Sequence, residues 1–336
     1  MSGCMDTASR PEPASGTIIG RYVVLSKLGA GGMGVVMAAY DPELDRKVAI
    51  KLLATPSGDQ EASARLKREA QALAKLEHPN VVSVYDVGVH DGQIFIGMEF
   101  VQGQTLREWL ALPRAWREVV RVFAAAGRGL AAAHEAGLVH RDFKPDNVMI
   151  RRDGRVLVMD FGLARGELVT SDHADLAALD QQSGVGSPTT SAALTQTGAL
   201  LGTPVYMAPE QFYGVATDAK TDQFSFCVAL WEALFGMRPF AGDNLAALSL
   251  AVTQGRLSEP ERRDVPVWLR RLLERGLAVD PAQRFATMDE LLRALQADPT
   301  RRRRTIAALV GTLAFVLGSG VGAHLAHEQT RAELIA

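Results

Sequence analysis

The stretch His140-Arg141-Asp142-Phe143-Lys144-Pro145-Asp146-Asn147, followed by Asp160-Phe161-Gly162, concentrates the side chains best suited to chemistry. A carboxylate at Asp142 can orient a hydroxyl nucleophile and accept its proton. Lys144 can neutralise charge on a moving phosphoryl group, and Asn147 and Asp160 offer the hard oxygens that Mg²⁺ prefers. The types and the spacing describe phosphoryl transfer.

Such chemistry needs a cradle for phosphates. Gly29-Ala30-Gly31-Gly32-Met33-Gly34 fits G-x-G-x-x-G, which is weak alone because dinucleotide-binding folds share it. A dinucleotide turn opens a helix, whereas here Val35, Val36 and Met37 continue as a strand and Val48-Ala49-Ile50-Lys51 follows as another. Glycines at a hairpin tip let backbone N–H groups approach phosphate oxygens, the alternative being a plain glycine hairpin. Lys51 ends an apolar strand, where a surface lysine laying its stem on apolar neighbours is the bland reading. A functional role requires a carboxylate partner. Glu69, in a helical stretch, is the best placed, and Glu61 is its nearest rival.

The elements that must position these groups follow from patterning. Residues 1–20 read as a disordered tail, with Pro11, Pro13, Ser15 and Gly16 and almost nothing apolar before Ile18. Structure is expected from about Arg21: strands at Tyr22–Leu25, Val35–Tyr40 and Lys47–Lys51 around the glycine turn, then a helix from about Glu61 to Leu76, stopped by Pro79. Val81–Val89 and Ile94–Phe100 resume as strands, and helical patterns dominate from Thr105. A sheet-rich part and a helix-rich part imply two lobes with a cleft between them.

Composition narrows the classes. A net charge of -2 gives no bulk attraction to nucleic acid, so none is expected as a partner. Two cysteines, Cys4 and Cys227, cannot build a disulfide framework or a zinc site and suit a reducing compartment. No apolar run precedes Cys4, so it reads as a tail thiol and not a lipoprotein signal. Residues 167–199 are rich in Ser, Thr, Asp, Gln and Gly and read as a long mobile loop. Ile306 to Ala323 carries no charge, follows Arg301-Arg302-Arg303-Arg304, and would make about 27 Å of helix, close to a bilayer's hydrocarbon thickness. Gly311, Gly318, Gly320 and Gly322 argue for a membrane helix over a buried soluble one. The arginines place the preceding domain in the cytoplasm. Beyond the span only residues 326–336 would emerge, too few for a folded sensor.

The motifs and their order resemble the eukaryotic-type serine/threonine protein kinases of bacteria, over roughly Arg21 to Leu295: the glycine loop, Val-Ala-Ile-Lys ending at Lys51, His-Arg-Asp, Asp-Phe-Gly, and Ala208-Pro209-Glu210. The resemblance implies an α+β, two-lobed protein kinase fold plus one transmembrane helix. It also implies ATP and Mg²⁺ as cofactors and protein substrates as partners. Asp142 and Lys144 would be catalytic and Asn147 and Asp160 would hold the metal. ATP would lie against Leu28, Gly29, Ala30, Gly31, Gly32, Met33, Gly34, Val36 and Ala49, with Lys51 on its α- and β-phosphates and paired to Glu69. Met98 would guard the back of the adenine pocket, and Glu99 to Val101 would be the hinge. Asp222 and Arg284 match scaffold positions, the latter as partner of Glu210, and Phe143 stands where leucine is usual. Lys144 with Gly202-Thr203 resembles the serine/threonine subgroup.

The expected organisation is a tail at 1–20 and a kinase domain at 21–296, divided into an N-lobe of about 21–100 and a C-lobe of about 101–296 with an activation loop at 160–210. A basic segment at 297–304, a span at 305–325 and an external tail at 326–336 would follow. The protein would sit in the inner membrane as a single-pass kinase, with the bilayer as a partner and a homodimer through the kinase domain or the span. The activation loop exceeds the family's usual length and adds Thr189, Thr190, Ser191, Thr195 and Thr197 as candidate phosphosites. Two other classes compete: a pseudokinase scaffold, opposed by the joint presence of Lys51, Asp142, Asn147 and Asp160, and a small-molecule phosphotransferase, opposed by Gly202-Thr203 with Ala208-Pro209-Glu210.

Overall fold

The structure, a computed structural model, describes residues 13–31, 34–53, 60–161, 203–261 and 264–297. The expected span at 305–325, the candidate phosphosites, and Gly32, Met33, Gly162 and Gly202 lie outside the described residues. Among those described, no helix is long and apolar enough to cross a membrane. Two compact units divide the chain, Met1–Leu292 and Arg293–Ala336, and only residues 293–297 of the second are described.

Residues 18–99 build a six-stranded antiparallel sheet with one helix. Its strands are β1 (Ile18–Ile19), β2 (Tyr22–Gly31), β3 (Gly34–Asp41), β4 (Arg46–Leu53), β5 (Val84–His90) and β6 (Gln93–Glu99), in the order β1-β2-β3-β4-β6-β5. Helix α1 (Gln60–Ala74) lies between β4 and β5 in sequence. Order begins before Arg21, contrary to expectation. Ile19 pairs with Tyr22 and is fully buried, and the Gly16 N–H donates to the Val24 carbonyl. A two-residue strand offers too little periodicity to be read, but one buried isoleucine suffices to pin it.

Side chains alternate across β4 with period two. Val48, Ile50 and Leu52 join Ile19, Tyr22, Met37 and Phe95 in one core, while Ala49 and Leu53 join Leu66, Ala70, Ile96 and Met98 in another. Lys51, in phase with Ala49 and Leu53, is thereby directed to the face that α1 covers. Leu66 and Ala70, one turn apart on α1, are buried against that face.

The second half is mostly helical: α2 (Leu106–Leu110), α3 (Trp116–Glu135), α4 (Pro209–Phe212), α5 (Ala219–Phe235), α6 (Leu245–Thr253), α7 (Val267–Gly276) and α8 (Met288–Gln296). Strands β7 (Gly103–Thr105), β8 (Val148–Arg151) and β9 (Val156–Val158) form a small antiparallel sheet. Helix α5 is buried on nearly all sides, as its lack of a polar stripe requires. Asp218 caps its start through the Lys220 N–H, and Gly236 ends it at φ 71. Phe226 on α5 meets Phe123 of α3 at 5.5 Å and Phe143 at 5.6 Å between ring centroids. This aromatic contact holds the loop that carries Asp142, and burying Phe143 completely is worth roughly 2–3 kcal/mol.

Candidate active site

The loop from His140 to Asn147 alternates between anchors and working groups. His140 is fully buried, its Nε2 lying 3.0 Å from the Met159 carbonyl and its Nδ1 accepting from the Asp142 N–H at 3.3 Å. These partners select the neutral tautomer protonated on Nε2, and burial pushes the imidazole pKa down. Asp222, buried on α5, accepts from the N–H groups of His140 and Arg141, both at 2.7 Å, and lies 2.7 Å from His134 Nε2. Arg141 is thus held at φ 62, and Asp160 sits at φ 58. Left-handed backbone at non-glycine residues costs on the order of 1 kcal/mol or more and collects where structure over-determines it.

Asp142 is nearly buried, and its Oδ2 receives Lys144 Nζ at 2.9 Å and Asn147 Nδ2 at 3.2 Å. Asn147 Nδ2 also donates to the Asp142 carbonyl at 2.8 Å, and the Met159 N–H donates to the Asn147 carbonyl at 2.9 Å. Through Met159 the two loops are tied together, which brings Asp160 beside the Asp142 group. Phe161 is buried and lies against His140, ring centroids 4.7 Å apart and the planes tilted by 38°.

Lys51, 6% exposed, places Nζ 3.2 Å from Asp160 Oδ1. The expected pairing with Glu69 is replaced. Glu69 Oε1 instead lies 3.5 Å from Arg141 Nη1. Arg141 takes the helix carboxylate, and Asp160 gives the lysine its partner.

The remaining nucleotide-side residues fall where β2, β3, β4 and β6 meet the cleft. Ala49 pairs in register with Met98, and Val36 with Lys51, giving apolar walls beside the lysine. Glu99 is tied through its side chain to Arg151 Nη1 at 2.7 Å, and Val101 follows at the crossover to β7. The glycines divide in role. A Cβ on Gly34 would meet the Leu52 carbonyl oxygen at 1.8 Å, so Gly34 is demanded by the hairpin itself, whereas at Gly29 nothing lies within 4 Å. Open space there suits close approach of a ligand. Leu28 is half exposed at the same edge.

Among the described residues no group of three or more His, Cys, Asp and Glu could hold a metal. Asn147 and Asp160 fit a different demand. Two hard oxygens are enough for Mg²⁺, which keeps waters and takes its other ligands from substrate phosphates. With the amide nitrogen of Asn147 committed to Asp142, its Oδ1 is the atom left for a cation.

Glu210, buried at the start of α4, makes the ion pair expected of it: Arg284 Nη1 and Nη2 reach its two carboxylate oxygens at 2.8 and 2.9 Å. Burial pushes the Glu210 carboxyl up, but the Arg284 bonds and the Thr221 hydroxyl outweigh it and hold the pKa below the usual range. A second polar cluster beside the catalytic loop escaped the sequence reading. Arg107 of α2 meets Asp146 through Nε and Nη2, both at 2.8 Å, and its Nη2 donates to the Tyr206 hydroxyl at 2.7 Å. Asp146 lies inside the conspicuous motif, and an acidic residue between Lys144 and Asn147 was a usable signal. Its partners are too distant in sequence to have been found.

The sequence matches the family described as protein kinase domain over residues 22–295. It is 33% identical over 279 residues to the serine/threonine-protein kinase PrkC of Bacillus subtilis, covering 82% of this chain and 40% of that one. It is 35% identical over 318 residues to the serine/threonine-protein kinase pkn3 of Myxococcus xanthus, covering 90% and 54%. With PknL of Mycobacterium bovis the identity is 36% over 289 residues, covering 84% and 66%. The chain therefore spans 40% to 66% of the length of these curated relatives. In structure it is similar to the PknI kinase domain of Mycobacterium tuberculosis, with TM-score 0.60 and 27% identity, covering 84% of this chain and 98% of that one. Motif order, two-lobed architecture and these matches together place the chain in the protein kinase domain family, among bacterial serine/threonine-protein kinases.

Proposed function

We propose that this protein transfers the γ-phosphoryl group of ATP to serine and threonine hydroxyls of protein substrates, and of itself, in bacterial signalling. One observation carries the reading: the buried Asp142 carboxylate, bonded by Lys144 and Asn147, stands beside the Lys51–Asp160 pair. Asp142 orients the acceptor hydroxyl and takes its proton. Lys144, 2.9 Å from that carboxylate, neutralises charge on the phosphoryl group in transit. Lys51 holds the α- and β-phosphates at the cleft face of β4, with the glycine hairpin above. Asn147 and Asp160 would hold Mg²⁺, which would neutralise charge on the phosphate oxygens.

The chain is further proposed to be anchored in the inner membrane by residues 305–325, with the kinase domain cytoplasmic and self-association through that domain or the span. The support is the uncharged run Ile306–Ala323, one residue after four arginines.

The activity is tested with labelled ATP, Mg²⁺ and a protein substrate. Asp142→Asn should lower turnover at least about a hundredfold while ATP binding stays close to the parent value. Near-normal turnover in that variant would overturn the assignment.

A further inference from the structure

Helix α3 turns one narrow stripe to solvent. Of its 20 residues only Arg117, Arg121, Arg128 and Glu135 are exposed. At about 100° per residue the three arginines fall within about 40° of one another and span about 16 Å of helix, with Glu135 two turns further on. Val119, Phe123, Ala126 and Leu130 line the opposite, buried side. Glu118, the one carboxylate between residues 116 and 128, is paired with Arg114 at 3.9 Å. The first three turns of the stripe therefore form a ridge of cations.

Apolar side chains extend the ridge at its N-terminal end. Trp116, which opens α3, meets Trp268 of α7 edge to face at 6.3 Å, and the Arg117 guanidinium lies 4.1 Å from the centre of the Trp116 ring. Both tryptophans are partly exposed. Leu112 and Val267, 63% and 65% exposed, are the two most exposed large apolar residues among those described, and each stands within four positions of one of the tryptophans. Arg271 is exposed one turn beyond Val267. Indole rings set among arginines and bare aliphatic side chains suit the headgroup level of a bilayer.

With the proposed anchor, a bilayer is also within reach. Helix α8 packs on α3 beside the ridge: a Cβ on Gly127, the neighbour of Arg128, would meet Leu292 Cδ2 at 2.5 Å and Met288 Cε at 3.1 Å. Only residues 297–304 lie between the end of α8 and the span at 305–325, about 30 Å of chain when fully extended. So short a tether holds the lipid surface at an effective concentration of millimolar or more before any contact forms.

We infer that the α3 arginine ridge and the Trp116–Trp268 pair form a membrane-contact face, which lies on the anionic headgroups of the bilayer that anchors this chain. The inference rests on the membrane anchor proposed above. Each arginine brought near such a surface favours the docked state about fivefold, and the gain fades beyond one Debye length, about 8 Å at physiological salt. A few arginines and two partly exposed indoles make a face too weak to hold a free domain, yet sufficient to orient a tethered one. An acidic protein segment would match the arginines but would leave the apolar end of the ridge unused.

The test uses the full chain reconstituted in phosphatidylcholine vesicles, with or without phosphatidylglycerol, whose acyl chains carry bromine as a quencher of tryptophan emission. Of the 4 tryptophans, Trp109 is 7% exposed and Trp231 fully buried, so quenching reports on Trp116 and Trp268. With phosphatidylglycerol present the parent should lose up to about half of its emission relative to unbrominated vesicles, and clearly less in phosphatidylcholine alone or at high salt. Arg117→Gln with Arg121→Gln and Arg128→Gln should bring the quenching down to the phosphatidylcholine level, and Trp116→Phe with Trp268→Phe should remove it. The lipid comparison needs no substitution, so it decides even where a variant fails to fold. Flotation of the vesicles reads the anchor separately: protein that does not float with them strikes the anchor, and this inference with it. Protein that floats but is unquenched, is quenched equally in both lipids, or keeps its quenching without the three arginines overturns the membrane face alone. An unquenched parent whose emission shifts with soluble polyglutamate would give the face to an acidic protein instead.

Discussion

Glu69 of α1 is held by the catalytic-loop arginine, Arg141, and not by the strand lysine. The contact is long, 3.5 Å, and both side chains are about a quarter exposed. Such a pair contributes no more than about 1 kcal/mol, so a modest competing interaction suffices to exchange it. Arg141 is also under-bonded, since among the described residues its buried Nε has no hydrogen-bond partner. A cavity of ≈ 60 Å³ lies beside the pair, lined by Leu73, Leu138, Val139 and Phe161. The guanidinium has donors to spare for a stronger acceptor, and such an exchange would release Glu69.

A phosphate on the segment 160–210 would be such an acceptor, with charge and oxygens that a guanidinium binds in pairs. Phosphatase treatment of the parent should therefore lower its activity several-fold. Arg141→Ala should be weakly active and equally so before and after the phosphatase. If that variant remains phosphatase-sensitive to the same degree, Arg141 is not the receiver. Thr195→Ala with Thr197→Ala should reproduce the dephosphorylated level; parent-like kinetics would remove those two residues as the source.

Arg284 is fully buried and makes two bonds to Glu210, with three more to the carbonyls of Ala278, Lys220 and Val279. Removing one partner of a buried pair leaves an uncompensated charge, so Arg284→Ala should cost about 3–5 kcal/mol in urea unfolding. Because the Glu210 carboxyl titrates below its unfolded value, its contribution is present above about pH 4.5 and lost as pH falls through the folded value. An Arg284→Ala protein within about 1 kcal/mol of the parent would mean the pair is dispensable.

What could be read in advance divides along physical lines. Asp142, Lys144, Asn147 and Asp160 were legible because the chemistry leaves few alternatives of residue type, and strands such as β4 because Val48 to Leu53 form a short, near-continuous apolar run that packs on both faces. The Glu69 partner was not legible. Helix α1 offers its carboxylate to whichever cation is nearer, and the choice between Lys51 and Arg141 depends on where a helix sits to within a few ångströms, which no spacing encodes. The same holds for the Arg107 cluster, assembled from residues 107, 146, 206 and 232. Phe143 shows the converse: its apolar character marked it as a core position, and its packing on Phe226 gives that expectation a partner.

The proposed anchor is tested by fractionation. Removing residues 305–325 should move the kinase from the membrane pellet to the soluble fraction with its activity toward an added peptide retained. Gly318 and Gly322 are spaced G-x-x-x-G, a pattern that lets membrane helices approach closely. Gly318→Ile with Gly322→Ile should weaken self-association of the span in a membrane two-hybrid assay. An undiminished signal would reject the motif as an interface, and a truncated protein that still pellets with membranes would reject the anchor.

His140 is buried neutral, its pKa lowered by burial despite the nearby carboxylates of Asp222, Asp142 and Asp160, which favour the charged form. In the unfolded chain it titrates near 6.5. Below that value the unfolded state takes up a proton that the folded state resists, so stability falls as pH drops from about 6.5 toward the folded pKa, at about 1.4 kcal/mol per pH unit for one group. His78, also lowered by burial and by Arg128, acts in the same direction. Protonating His140 on Nδ1 would also remove the acceptor of the Asp142 N–H, so catalytic-loop order and stability should fade together. Urea unfolding of the parent at pH 7 and pH 5.5 should show this loss. His140→Gln, which keeps a donor for the Met159 carbonyl but cannot take the charge, should be less stable at pH 7 and lose clearly less on acidification. If both proteins lose the same amount, the acid sensitivity belongs to other groups.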